Sequence, residues 1–256
     1  MPVFRDHAIV LRTQKLGEAD RIITALTRAH GQRRIVARGV RKINSKIGAR
    51  LEPFNIVDLL AFEGRSGLDS LNQVDSLALF GAEISLDFDR YRAASIMAET
   101  AIQLTEMDAS VHQFNLLSAA LKALAGREQA PELLRDSYLL RSLALAGWTV
   151  ELRSCVVCGS RDNLTHFSVQ HGGVVCDNCA TPAMSRISFA EYELLAALLI
   201  GAWVRVNNSD ASSRQHVSDL IAAFVRWQLE RGLKSLTIDE IARRAEQQRG
   251  NRGERV

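Results

Sequence analysis

No apolar run in this chain comes near the ~20 residues that a helix needs to cross a bilayer, so a helical membrane anchor is not expected. The opening MPVFRDHAIVLR puts Arg5, Asp6 and His7 where a secretion signal needs an apolar segment. A cytoplasmic protein with reduced thiols is the expectation. There is no internal repeat and no low-complexity block. The phosphate-binding pattern G-x-x-x-x-G-K-[ST] is missing, so ATP-driven work is unsupported. The six histidines are scattered, and neither H-E-x-x-H nor H-x-E…P-C-x-x-C occurs. Residues 52–110 hold eleven acids, yet their spacing assembles no two-metal nuclease set. With no nucleophile beside a base, a binding protein is expected and not an enzyme. Trp and Tyr are absent from residues 1–80. Between Arg21 and Leu51 there is not one Asp or Glu.

What is present can bury a core. Of 256 residues, 47% are hydrophobic, which excludes a wholly disordered chain and allows two or three small domains. Residues 1–80 read as five strands: His7–Thr13, Arg21–Thr27, Arg33–Val40, Phe54–Phe62 and Leu68–Leu79, with a turn at His30-Gly31 and a hairpin at Gly64 and Gly67. Five short strands in this length fit a small closed barrel, the OB-fold foremost and an SH3-like barrel as rival. After Gly81 the period becomes helical. Val111, Phe114, Leu117, Leu121 and Leu124 recur every three or four residues, and Gly126 can end that helix. Pro131 opens the next, Glu132–Ala146, which is apolar on nearly every face and stops at Gly147. Asp87-Phe-Asp89-Arg90 reads as a helix N-terminus. Capping boxes stand at Ser188–Glu191, before Tyr192, Leu195 and Leu199, and at Thr237–Glu240, before Ile241 and Ala245. Val217, Leu220, Ile221 and Phe224 mark a helix between them.

The fold class expected is therefore α+β and multidomain. An OB barrel (1–80) is followed by a helical domain in two parts (81–152 and 184–246). A cysteine insert (153–183) interrupts them, and a frayed tail (247–256) ends the chain.

All four cysteines lie in that insert. Cys155-Val-Val-Cys158 is followed, seventeen residues on, by Cys176-Asp-Asn-Cys179. Each C-x-x-C turn aims two thiolates at one point, and two such turns complete a tetrahedron around zinc. A disulfide pair suits a reducing compartment poorly, and a redox dithiol uses one such motif, not two. Four sulfur ligands leave no open position, so one structural zinc is expected. His166 and His171 lie within the loop, but the ligand set is complete without them.

The net charge of +3 conceals a division. Residues 1–50 carry twelve Lys/Arg against Asp6, Glu18 and Asp20, a surplus of nine, and the remaining 206 residues sum to −6. A solvated surface mixes its signs. The acid-free stretch instead suggests a polyanion partner, since its self-repulsion stays unrelieved without one. Strand alternation puts Arg34, Val36, Arg38 and Val40 on one face, with Ile35, Ala37 and Gly39 on the other. Arg41, Lys42, Lys46 and Arg50 continue the track, and Arg12 and Lys15 of the first strand can join it. Arginine favours phosphate, whose oxygens its fork matches. Lacking aromatic platforms, the domain should hold phosphates and leave bases free. An RNA-binding OB/zinc protein of translation or transcription is the main alternative, and a metal-dependent nuclease the third.

These residues together resemble a known family. LGEADRIITALT and HGQRRIVARGVRKINSKIGARLEPF in the barrel, then helices, then LALAGWTVELRSCVVCG and the second C-x-x-C, are similar to the RecO family of recombination mediators. The likeness is to its zinc-bearing, actinobacterial form and covers essentially the whole chain. Val150 departs from it, standing where the family's stretch has Pro. The resemblance implies an OB domain, then helices with a zinc insert. It implies binding of single- and double-stranded DNA and annealing of complementary strands. It further implies action on DNA coated with single-strand-binding protein, and loading of RecA together with RecR. Carried over by motif, Arg34, Arg38, Arg41, Lys42, Lys46 and Arg50 become DNA contacts, and Cys155, Cys158, Cys176 and Cys179 metal ligands.

Overall fold

Strand β1 (Val3–Leu16) is long because it serves two layers. Its middle, Ala8–Leu11, is buried on both sides; of Val3–His7 only Phe4 is buried, and Arg12–Leu16 are exposed or half-buried. It pairs with β2 (Asp20–Thr27) through a tight turn and with β4 (Ile56–Phe62) on its other edge. β2 pairs with β3 (Gly31–Ala37), β3 runs parallel to β5 (Leu68–Ala78), and β5 pairs back to β4. The order β1-β2-β3-β5-β4 closes on itself as a barrel, the OB arrangement. Phe4, Ala8, Val10, Ile23, Ala25, Ile35, Ala37, Leu59 and Val74 fill it. The structure, a computed structural model, describes residues 2–229 apart from 43, 44, 46, 65, 66, 107 and 108. The Thr237–Glu240 box, Ile241, Ala245 and the tail lie outside the described residues.

A bulge sets the facing of β1. Val10 opposes Ala25 and Arg12 opposes Thr24, so Leu11 is an extra residue in the strand. Before it, even-numbered positions such as Ala8 and Val10 enter the barrel. After it, Arg12 lies on the outer phase and Thr13, opposite Ile23, on the inner one. Ile9, Leu26 and Ile56 form a row on the outer phase at the other end of the strands, and all three are buried. Helix α2 packs on β1 there.

That helix belongs to a trio: α1 (Phe80–Ser85), α2 (Phe88–Leu104) and α3 (Val111–Ala125). Asp87 caps α2, its carboxylate accepting the Arg90 N–H at 3.0 Å, as the sequence suggested. Ser110 caps α3 in the same way. The chain divides into two compact units between Tyr138 and Leu139, inside α4 (Pro131–Leu145). The sequence showed α4 as nearly all apolar. Of its four charged residues, Glu132 and Arg141 are exposed, while Arg135 and Asp136 are buried and paired at 2.8 Å. A buried charge needs such a partner.

The second unit holds the cysteine insert and helices α5 (Phe189–Ile200), α6 (Trp203–Asn207) and α7 (Ala211–Gln228). The Ser188–Glu191 box is formed in full: the hydroxyl accepts the Glu191 N–H, and the carboxylate accepts the Ser188 N–H at 2.6 Å. The same carboxylate meets the His216 ring at 2.7 Å and so ties α5 to α7. Burial raises the Glu191 pKa, but the Ser188 amide and the His216 ring outweigh it and hold the carboxyl below its ordinary 4.5. A depressed folded pKa means stability present above the ordinary value and lost as pH falls through the folded one. Glu191→Gln should lower Tm by about 2 °C at pH 7 and flatten the loss below pH ~4.5. Thermal melts of both proteins from pH 3 to 7 check this; parallel curves would leave the carboxylate without a role.

Candidate nucleic-acid interface and metal centre

The register of the first three strands builds a row. Arg12 stands opposite Thr24, and Thr24 opposite Arg34, so the two guanidiniums flank a small hydroxyl on the outer barrel face. With strands ~4.8 Å apart, their Cα atoms lie roughly 10 Å from each other. Below this row come Gln14, Ile22 and Val36. Both arginines are exposed, and among the described residues neither has an acidic partner. Thr24 was not among the sequence candidates. Counting strand pairs outward from the β1–β2 turn would have found it.

Beyond Ala37 the strand stops, which corrects one expectation. Arg38 lies in a turn, and Val40 does not share its outward face but is 3% exposed, inside the barrel core. Gly39 explains the switch: its φ of +66° reverses the chain, and its N–H donates to Asp20 at 2.7 Å. Arg41 continues this fastening, its backbone N–H donating to Ala19 and its side chain to the Gly17 carbonyl at 3.1 Å. Arg38, Arg41 and Lys42 are all exposed beside the β1–β2 turn. Lys15, three residues from Arg12, has the opposite phase and reaches solvent at the barrel end. Lys46 lies outside the described residues.

The expectation of unrelieved repulsion needs a second correction. Acids remote in sequence answer several of the cations. Arg33 donates twice to Asp69, at 2.7 and 3.0 Å, and stacks over the Phe4 ring at 4.8 Å. Arg21 meets Glu52 at 2.7 Å. Arg50 meets Asp75 at 3.3 Å and the Val74 carbonyl at 2.6 Å. Barrel closure brings β4, β5 and the start of residues 52–75 against the basic strand, which no linear window can reveal. Arg12, Lys15, Arg34, Arg38 and Lys42 remain without ion pairs among the described residues. The barrel also shows no exposed aromatic ring of Phe, Tyr or Trp among its described residues: Phe4 and Phe54 are buried and Phe62 half-buried.

The cysteines occupy a separate small sheet. β6 (Leu164–Ser168) pairs with β7 (Gly173–Cys176) and β8 (Ser185–Arg186). Gly173 has no room for a side chain, since a Cβ would sit 2.5 Å from the Glu151 carbonyl. The first knuckle is closed by the Cys155 N–H donating to Ser160 at 2.7 Å and Gly159 N–H to Cys155 at 2.8 Å. All four sulfurs lie within 4.8 Å of one another, and Cys158 and Cys176 are 3.7 Å apart. A tetrahedron with ~2.3 Å metal–sulfur bonds has edges of about 3.8 Å, so the set fits a four-coordinate soft ion. None of the four is in a disulfide. His166 instead meets Thr165 at 2.9 Å, and His171 meets Ser168 at 2.9 Å. Burial acts most strongly on Cys155 and opposes ionisation, yet the amides of Cys176, Cys158 and Val157 overcome it and bring the thiol down to about 6. Contacts with the Cys158 and Cys176 sulfurs push Cys179 up to about 12. A divalent ion binding here would release the remaining protons.

Comparison with known proteins completes the description. The family model for the N-terminal part of recombination protein O matches residues 1–80, and that for its C-terminal part matches residues 85–237. The chain belongs to the RecO family. A protein named DNA repair protein RecO from Frankia casuarinae is 46% identical over 244 residues, 94% of this chain and all of that one. Another of that name from Nocardioides sp. is 46% identical over 243 residues, covering 93% and 99%. A third, from Streptomyces coelicolor, is 47% identical over 246 residues, covering 92% and 98%. Among the described residues no helix is long and apolar enough to cross a membrane.

Proposed function

We propose that this RecO-family chain is a DNA repair and recombination mediator, acting by non-covalent means. It holds single- and double-stranded DNA without regard to sequence and anneals complementary strands. It does so on strands coated with single-strand-binding protein, and with RecR it promotes RecA loading. Arg12, Lys15, Arg34, Arg38, Arg41 and Lys42 contact phosphates, and Lys46 joins them. One structural zinc sits on Cys155, Cys158, Cys176 and Cys179. When bound, it supplies a fixed tetrahedral crosslink and no open coordination position.

The observation that carries this reading is the barrel's cationic face with no exposed aromatic platform. Proteins that grip bases stack them on such rings, at ~1–3 kcal/mol per base. A phosphate-only grip leaves base edges free to find their complements, as annealing demands. It also needs no ATP, and the chain has no P-loop pattern.

Each phosphate neutralised on single strands contributes about −0.7 to the slope of log K against log salt. Seven engaged cations should therefore give a slope of roughly −5. Affinities for mixed-sequence and homopolymer oligonucleotides should agree within about threefold. Anisotropy titrations from 50 to 300 mM salt, paired with annealing of protein-coated complementary strands, test both points. A flat salt response or strong base preference would overturn the reading. Preference for structured RNA would favour the alternative, through 2′-hydroxyl contacts.

A further inference from the structure

The barrel has a seam. β3 and β5 share only three register pairs, Arg34 with Leu68, Ile35 with Asp69 and Val36 with Ser70. β5 then runs on to Ala78 with β4 as its only strand partner among the described residues. Backbone groups on its far side lack the ladder that elsewhere satisfies them, and such groups need other partners when covered. A short 3₁₀ turn, Ala49–Leu51, lies against this part of β5. Leu51 is 1% exposed and enters the barrel core. Asn55 donates to the carbonyls of Ala49 and Arg50, at 2.9 and 3.3 Å, and pins the turn from behind. From this turn Arg50 donates to the Val74 carbonyl at 2.6 Å and to Asp75 at 3.3 Å.

We infer that Arg50 is a positioning residue, not a phosphate contact: it closes the β3–β5 seam and anchors the far end of the cationic segment. The near end is fastened separately, by Gly39 on Asp20 and Arg41 on Gly17 and Ala19. Arg38 and Arg41 stand at the near anchor, and Lys42 follows it on the way to Arg50. This inference rests on the proposed DNA grip, because it says which cation of the segment serves the grip indirectly. Sequence alone gave Arg50 the same standing as its neighbours. Its ion pair separates it from Arg38, Arg41 and Lys42, since Asp75 already answers the charge that a phosphate would otherwise neutralise.

The test is a cycle of full-length variants: Arg50→Ala, the triple R38A/R41A/K42A, and all four together. Single-strand affinity is read at low salt, where Arg12 and Arg34 still hold the strand. An indirect role predicts coupling. Arg50→Ala should weaken the wild type on the order of tenfold yet weaken the triple variant less than twofold. It should also lower Tm by about 3 °C or more, while Arg38→Ala stays within about 1 °C. Equal loss in both backgrounds with Tm unchanged would make Arg50 a direct phosphate ligand and end the proposal. Wild-type affinity in the triple variant would instead end the proposed DNA grip itself, a separate failure.

Discussion

Cys155→Ala should leave the chain without its metal and unfold the cysteine insert, while the barrel keeps its melting transition. The expected effect is large because the cysteine end of the insert has only a small core of its own, although Phe167 packs on Phe224 of α7. Its strands are five, four and two residues long. Its core is Cys155, Val175 and Cys176, with Val156, Leu164, Cys179 and Met184 around them. A three-stranded sheet so short is marginal in water, whereas structural zinc supplies an apparent ~10–16 kcal/mol in finger-sized peptides. Elemental analysis should give one zinc per wild-type chain and none in the variant. Hydrogen exchange should show residues 155–186 exposed in the variant and residues 3–78 still protected. Single-strand affinity should stay within about threefold, since the proposed contacts are all in the barrel. Metal-free protein with an unaltered insert would refute the structural role.

Neutralising Arg12, Arg34, Arg38, Arg41 and Lys42 together should reduce single-strand affinity on the order of 10²–10³-fold at moderate salt. The salt slope should shrink by about 3.5, from the same ~0.7 per phosphate. Stability should change little, because all five are exposed and the relief of their mutual repulsion offsets the lost Arg41–Gly17 hydrogen bond. That pairing of outcomes separates a lost grip from a damaged fold. Anisotropy across a salt series and a thermal melt read the two in one preparation. Unchanged oligonucleotide capture would remove the cationic face from the mechanism and leave DNA to be held elsewhere on the chain.

The parts of this architecture governed by near neighbours were legible in the sequence. Short β-branched and apolar runs between turn residues gave all five barrel strands, although β1 extends to Val3 and Leu16, beyond His7–Thr13. The Ser188–Glu191 box and the Asp87 cap depend on residues three apart, and both are formed. The C-x-x-C spacing placed four sulfurs together before any coordinates did. What stayed hidden depends on closure. Asp69 sits 36 residues from Arg33, and Asp75 sits 25 from Arg50, so the acid-free window was real in sequence and only partly real in space. The turn at Gly39 likewise broke an alternation that seemed to reach Val40. The sheet β6-β7-β8 was unread because its segments are too short for any period to emerge.

The extra residue at Leu11 makes the outward pointing of Arg12 a matter of parity. Two demands meet on one strand: apolar on both sides where the helices cover it, cationic outside where they do not. An odd count between those halves reconciles them. Trading one side chain for another near Val10 leaves that count alone. Flattening the bulge at unchanged length, so that Leu11 paired with Thr24 and Arg12 with Ile23, would turn the Arg12 guanidinium toward the packed interior and Thr13 toward water. The direction of that guanidinium is therefore held by the register of the strand and not by the arginine itself.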